Sequence, residues 1–243
     1  MMISRIIGLV LGVRRRLCAL AFRLRGLDQR TRIPIRPRSD LKRLGADCGW
    51  VVPVALLGRD TVCYCVGAGE DITFDVALAI ELDCEVHTFD PTPKAITYVT
   101  RLKDGLPARL SFHPWGVWDR DECVRFYAPK DPSHVSHSAI NLQKTARFFE
   151  ADCKRLHSIM HELGHRSLGL LKLDIEGAEY KVLQSMVADG IRPQVLAVEF
   201  DEIHSPSDND APFRIKSAAE MLVAFGYTLT SVDGPNYTFI MGQ

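Results

Sequence analysis

No C-x-x-C pair, no apolar run of bilayer length and no internal repeat occurs in this chain of 243 residues. The first absence removes the usual dithiol redox centre. The seven cysteines are odd in number and several stand in apolar runs, which suits buried thiols in a reducing compartment. Cys63 and Cys65 are two apart in a strand-like run, so they face the same way and read as core residues. The apolar run Ile6–Val13 is too short to span a bilayer, and Arg14, Arg15 and Arg16 follow it where a secretory signal would need small residues. Without a repeat, solenoid and propeller architectures drop out.

Net charge is also absent, but only in the sum. Residues 1–40 hold ten arginines and two acids, a net of +8, and the remainder carries −8. The acidic body is a poor nucleic-acid surface, so no nucleic-acid partner is expected. The basic head, residues 1–40, reads as a helix followed by an extended linker around Pro34 and Pro37. It suits docking on its own domain, or peripheral contact with an anionic membrane by an otherwise cytoplasmic protein. Residues 41–243 then form one domain.

What is present is alternation of strands and helices. Residues 41–60 are a lead-in with room for a short helix. Thr61–Val66 is a strand ending in Gly67-Ala68-Gly69, and Ile72–Leu82 has helical spacing. Strands follow at 84–89, 108–112, 170–175 and 195–200, with helices at 94–102, 142–163, 179–189 and 213–225. Residues 116–140, with short β-like pieces among Asp, Pro, Ser and His, read as an inserted hairpin or lid. Two last strands, 227–232 and 237–241, turn at Gly234-Pro235. This order predicts an α/β, mostly parallel sheet, with an antiparallel strand at its end contributed by the C-terminus.

The strand-glycine-helix junction has a physical logic. Glycines allow a sharp turn and close ligand approach, and the helix start supplies free N–H groups. Asp90, after the second strand, is placed to accept the hydroxyls of a ribose. A dinucleotide site would want a small residue where Ile72 stands, and Glu70 and Asp71 oppose a pyrophosphate. S-adenosyl-L-methionine has no phosphate and carries two cationic groups, which acids suit.

Three stretches then carry a resemblance: V62-C-Y-C-V-G-A-G-E-D71, V86-H-T-F-D-P-T-P93 and L170-L-K-L-D-I-E-G-A-E-Y-K-V-L183, with a weaker one at F112-H-P-W-G-V-W118. Over roughly residues 60–240 the chain resembles the FkbM-type family of class I S-adenosylmethionine-dependent methyltransferases. The resemblance implies a Rossmann-like class I methyltransferase fold and methyl transfer to a hydroxyl oxygen of a small molecule, sugar or lipid. It implies that the loop Gly67, Ala68 and Gly69 holds the methionine part of the cofactor, that Asp90 holds the ribose, that the segment from Trp115 through Gly116 to Val117 lies near the adenine, and that Val66, Asp71 and Asp174 also touch the cofactor. Asp174 and Glu176 would border the reaction centre. Two departures stand out: Asp90 replaces the family's more usual Glu, and Glu70 stands where many members have Asn.

Open α/β sheets bind ligands beyond the carboxyl ends of their strands. Asp90, His113, Asp174 and Glu199 all fall at such ends. Asp174 and His204 are candidates for the base that takes the acceptor's proton, with Glu176 and Glu199 beside them. Asp174 is equally suited to capping the next helix, and His204 to a surface loop. No metal ligand set is assigned. The competing classes are an NAD(P)-dependent oxidoreductase and a non-catalytic cofactor-binding scaffold.

One motif stands apart. H161-E-L-G-H165 has the spacing of a zinc protease helix. Its helix is predicted to end at Gly164, and the glycine and histidine of the extended form are replaced by Leu168 and Leu171. The expected reading is a solvated helix end at the edge of the sheet far from the ligand mouth.

Overall fold

The computed structural model describes residues 26–46, 49–128, 139, 145–203, 206 and 208–242. At its centre is a seven-stranded sheet built from β3 (Val62–Val66), β4 (Glu85–Phe89), β5 (Leu110–His113), β9 (Leu170–Leu173), β10 (Val195–Glu199), β11 (Tyr227–Asp233) and β12 (Asn236–Met241). Across the sheet the order is β11-β12-β10-β9-β3-β4-β5. Strand β3 pairs in parallel with β4 on one side and β9 on the other. The chain therefore reverses its direction of travel between β3 and β9, and the crevice at that switch point is where such sheets take ligands.

The mostly parallel sheet is as expected, and its reason is visible in VCYCV and LLKL. Strands covered on both faces need apolar residues at nearly every position. Tyr64 and Val66 pack on one face with helices Leu156–Leu163 (α3), Glu179–Ala188 (α4) and Ala211–Ala224 (α5). Cys63 and Cys65 point to the other face, buried with Trp50 and with Phe74 and Leu78 of helix Thr73–Glu81 (α1). Helix Pro93–Leu102 (α2) closes a smaller cluster with Ala68 and Ile72. Each such buried aliphatic side chain contributes roughly 1.5–3 kcal/mol.

The C-terminal hairpin forms as read, but the antiparallel strand is not at the sheet's end. β12 inserts between β10 and β11, pairing antiparallel with both. The tight turn lets β12 fold back into the free hydrogen-bonding edge of β10, which leaves β11 outermost.

Three local expectations are corrected. Residues 148–155, expected as the start of a helix spanning 142–163, are a strand, β8 (Phe148–Arg155), and the helix begins at Leu156. Along β8, Phe148, Glu150 and Asp152 are exposed while Phe149, Ala151 and Cys153 turn inward, the period of two that a half-buried strand demands. β8 lies between β6 (Gly116–Trp118) and β7 (Glu122–Tyr127) in a separate three-stranded sheet. Residues 41–60, read as a lead-in with room for a short helix, instead form the antiparallel pair β1 (Leu41–Leu44) and β2 (Trp50–Pro53), followed by a single 3-10 turn. Residues 26–36, read as part of an extended linker, hook onto the hairpin. The buried Asp28 carboxylate accepts from Thr31 N–H and Oγ1 at 2.7 Å each and from the Tyr237 hydroxyl at 3.1 Å.

Among the described residues no helix is long and apolar enough to cross a membrane.

Candidate active site

The glycine loop leaves β3 in a conformation that side chains resist. Gly67 has φ +90° and Gly69 φ +52°. A Cβ on Gly67 would collide with the backbone carbonyl of Asp174. The loop is clamped from three sides. Gly67 N–H donates to the Phe89 carbonyl at 2.9 Å, and Lys172 Nζ donates to the Gly67 carbonyl at 2.6 Å. Asp90 Oδ2 accepts from both Ala68 N–H and Gly69 N–H at 2.9 Å. Its Oδ1 accepts from Thr92 N–H at 2.8 Å and Thr92 Oγ1 at 2.6 Å. Four donors thus occupy the roughly four acceptor directions of one carboxylate. Asp90 is first of all the staple of the loop, and one of these donors must yield for a ribose hydroxyl to reach it.

Facing the loop, the D-I-E-G-A-E segment turns through two left-handed residues, Glu176 at φ +55° and Gly177 at φ +93°. A non-glycine residue in that region is strained and needs support. The fully buried Glu179 supplies it, its Oε1 accepting from Ile175 N–H at 2.9 Å and Gly177 N–H at 3.2 Å. Asp201 Oδ2 also accepts from Gly177 N–H, at 3.1 Å. The second glutamate of the motif is therefore structural, folding the turn that presents the first.

Lys172 is the other half of this design. It is buried in mid-strand, pairs with Asp174 at 3.0 Å, and is pushed above the usual lysine range by Asp174 and Asp75 against the cost of its burial. Burial pushes Glu199 up to about 8, with Asp174 and Asp201 adding to the effect. Burial also raises Asp201, and Glu179 raises it further, so of that pair Glu179 is the better placed to ionise. Oxygens of Asp174, Glu199 and Asp201 lie within 4.8 Å of one another.

These groups open into a cavity of about 440 Å³. Eight acids line it: Glu70, Asp71, Asp75, Asp90, Asp174, Glu176, Glu199 and Asp201. Among the described lining residues Lys172 is the one base. Phe89, Val117, Trp118 and Phe126 form an apolar wall. An apolar slot beside a strongly negative floor fits a nucleoside joined to a cationic group, and it repels a pyrophosphate.

Of the residues expected from sequence, Val66, Gly67, Ala68, Gly69, Asp71, Asp90, Gly116, Asp174, Glu176 and Glu199 all border this cavity. Trp115 does not. Its ring lies behind the wall, 4.9 Å from the His113 ring and 3.7 Å below Lys154 Nζ. His113 turns away from the mouth toward His87. His204 lies outside the described residues. Sequence reasoning missed Lys172, Asp75 and Phe126. Lys172 had a signal, a lone charge inside the apolar strand LLKL; Asp75 sits on a helix and bonds Thr88 Oγ1 of the next strand at 2.5 Å, which no local pattern announces.

H-E-L-G-H is not a zinc-protease helix. His161 is exposed in the last turn, Gly164 ends the helix at φ +75°, and His165 leaves the helical stripe. Nor is His165 solvated, as expected: its Nδ1 lies 2.7 Å from the Tyr64 hydroxyl, and its side chain is 12% exposed.

The reversed parallel sheet with its inserted antiparallel strand, the clamped glycine loop and the acidic crevice together define a Rossmann-like class I methyltransferase fold. Residues 60–229 match the methyltransferase FkbM domain, and the chain belongs to that family of S-adenosylmethionine-dependent methyltransferases. It is 30% identical over 168 residues to probable methyltransferase-like protein 24 of Homo sapiens, covering 68% of this chain and 38% of that protein, and equally to the Rattus norvegicus protein. The chain thus spans well under half the length of these relatives. Among solved structures it is similar to the fibrillarin/Nop5p complex (10% identity, TM-score 0.45, 77% of this chain and 75% of that one). It is also similar to a precorrin-6y C5,15-methyltransferase from Geobacter metallireducens GS-15 (12% identity, TM-score 0.40, 77% and 85%).

Proposed function

We propose that this protein transfers a methyl group from S-adenosyl-L-methionine to a hydroxyl oxygen of a small acceptor, a sugar, lipid or similar molecule. The observation that carries the reading is the acidic lining of the cavity, eight acidic residues against the one lysine among its described lining residues. The same imbalance disfavours a dinucleotide, and hence the oxidoreductase alternative. It also disfavours a nucleic acid at this mouth.

The cofactor, when bound, supplies an electrophilic methyl on a sulfonium. The protein's own residues do the rest. Gly67 and Gly69 let the backbone approach the methionine portion. Asp90 holds that loop and faces the ribose, and Trp118 and Phe126 give the adenine an apolar wall. Asp174 and Glu176 border the methyl. Glu199, pushed up to about 8 by burial, has a proton affinity matched to taking a hydroxyl proton near neutral pH. Holding the acceptor in line with the methyl accounts for much of the rate. His204 is the second choice of base. A cytoplasmic location, with the basic residues 1–40 touching an anionic membrane, completes the proposal.

The test is calorimetric binding of S-adenosylmethionine and its demethylated product, with NAD as control, to the wild type and to Asp90→Ala. Micromolar binding that is lost in the variant supports the reading and justifies a screen of hydroxylated acceptors. A folded protein that binds neither cofactor form would sink it. Cofactor binding with no turnover across that screen would favour the scaffold alternative.

A further inference from the structure

Away from the cavity, on the face of the sheet covered by α3, three potential ligands converge. Glu85 opens β4, His87 is two residues on and so faces the same way, and His165 arrives from the loop after α3. Donor atoms of the three lie within 4.8 Å of one another. Glu85 Oε1 is 3.2 Å from His87 Nε2 and 3.5 Å from His165 Nε2. Donors held at about 2.0–2.2 Å around a tetrahedral zinc ion stand roughly 3.3–3.6 Å apart. These separations are already close to what a cation between them would set.

The outer sides of both imidazoles are also fixed. His87 Nδ1 lies 2.9 Å from His113 Nε2, and His165 Nδ1 lies 2.7 Å from the Tyr64 hydroxyl. Metal-binding histidines almost always have their second nitrogen held in this way, which sets the ring orientation. Both rings are nearly buried, with side-chain exposures of 10% and 12%, whereas Glu85 is 47% exposed.

We propose that Glu85, His87 and His165 form a binding site for a divalent transition metal of the zinc class. Two imidazoles and one carboxylate are a borderline donor set that suits zinc over magnesium or calcium. On binding, each Nδ1 carries the proton, donating to Tyr64 Oη and His113 Nε2, and both Nε2 lone pairs face the cation. Water fills the remaining position on the exposed Glu85 side. The ion ties the loop that starts at Gly164 to strand β4. It stands apart from the methyl-transfer cavity, which none of its ligands lines. Of the two H-E-L-G-H histidines, it takes His165 and leaves His161 out.

The test uses the full, tag-free chain, stripped of metal, in a Cys123→Ser background because that thiol is exposed. Zinc chloride is titrated by calorimetry, and bound zinc is counted after gel filtration. The expected result is one zinc per chain and a melting temperature that rises with zinc. His165→Ala and His87→Ala should lose the bound ion, and Glu85→Gln should bind at least tenfold more weakly. His161→Ala and Asp174→Asn should keep it. If His87→Ala fails to fold, the half-exposed Glu85 variant decides. No stoichiometric zinc in the parent protein overturns the proposal, as does zinc that survives His165→Ala or vanishes with His161→Ala.

Discussion

Lys172 Nζ donates to the carbonyl oxygen of Gly67 across 2.6 Å, so one buried cation joins the loop after β3 to the acid after β9. Removing it leaves Asp75 and Asp174 without their counter-charge. Breaking a buried pair from one side costs about 3–5 kcal/mol. Lys172→Met is therefore expected to lower stability by that order in urea titrations. Adding Asp75→Asn, which removes one stranded charge, should recover part of the loss. A Lys172→Met protein as stable as wild type would show that the lysine carries no such burden.

At Gly67 the two constraints are independent and add. A side chain at φ +90° is strained by about 1–3 kcal/mol, and the Cβ also meets the Asp174 carbonyl. Gly67→Ala should therefore destabilise the protein and abolish S-adenosylmethionine binding. Gly69→Ala meets no atom within 4 Å and carries only the conformational strain. Its stability loss should be smaller, and calorimetry should still detect the cofactor.

The carboxylates predict a pH dependence with a definite direction. Glu199 and Asp201 hold their protons to higher pH in the folded protein than in the unfolded chain, because burial and neighbouring acids oppose ionisation. Between the ordinary carboxylate range and about pH 8 the unfolded state binds fewer protons, so apoprotein stability should fall as pH rises through that window. Ionisation of the same groups deepens the negative floor, so affinity for S-adenosylmethionine should increase from pH 6 to pH 9. The demethylated product lacks the sulfonium charge and should show a weaker rise. Equal pH slopes for the two ligands would mean the floor does not sense that charge.

How much of this was readable depended on whether a signal was local. Leu170–Leu173, the glycine loop and Asp90 advertise themselves in consecutive residues, and the hairpin at Gly234-Pro235 is a turn signal. Strand β8 was hidden because F-F-E-A-D-C-K-R runs directly into a helix, and Phe148 and Phe149 suit either state until β7 is there to pair with. Asp201 and Glu179 share the Gly177 N–H as a donor, a meeting that no run of consecutive residues announces. His165 was misjudged for the same reason. Its partner Tyr64 stands 101 positions away, on a strand read only as hydrophobic.

Arg214 offers the last test, one residue removed from an acid of the cavity. From α5 it forks onto the buried Glu202, with Nε to Oε2 at 2.7 Å and Nη2 to Oε1 at 2.5 Å, and it also reaches Asp208. Glu202 follows Asp201 directly, so this bidentate pair sets the turn that carries a carboxylate of the active site. Arg214→Ala should cost about 3–5 kcal/mol, because it takes the cation away from a buried carboxylate. Arg214→Lys keeps the charge but not the fork, and should recover only part of that. Replacing both partners by apolar residues, Arg214→Met with Glu202→Leu, should be far less damaging than Arg214→Ala alone. If the double variant melts lower than the single one, the pair is not the anchor of this turn.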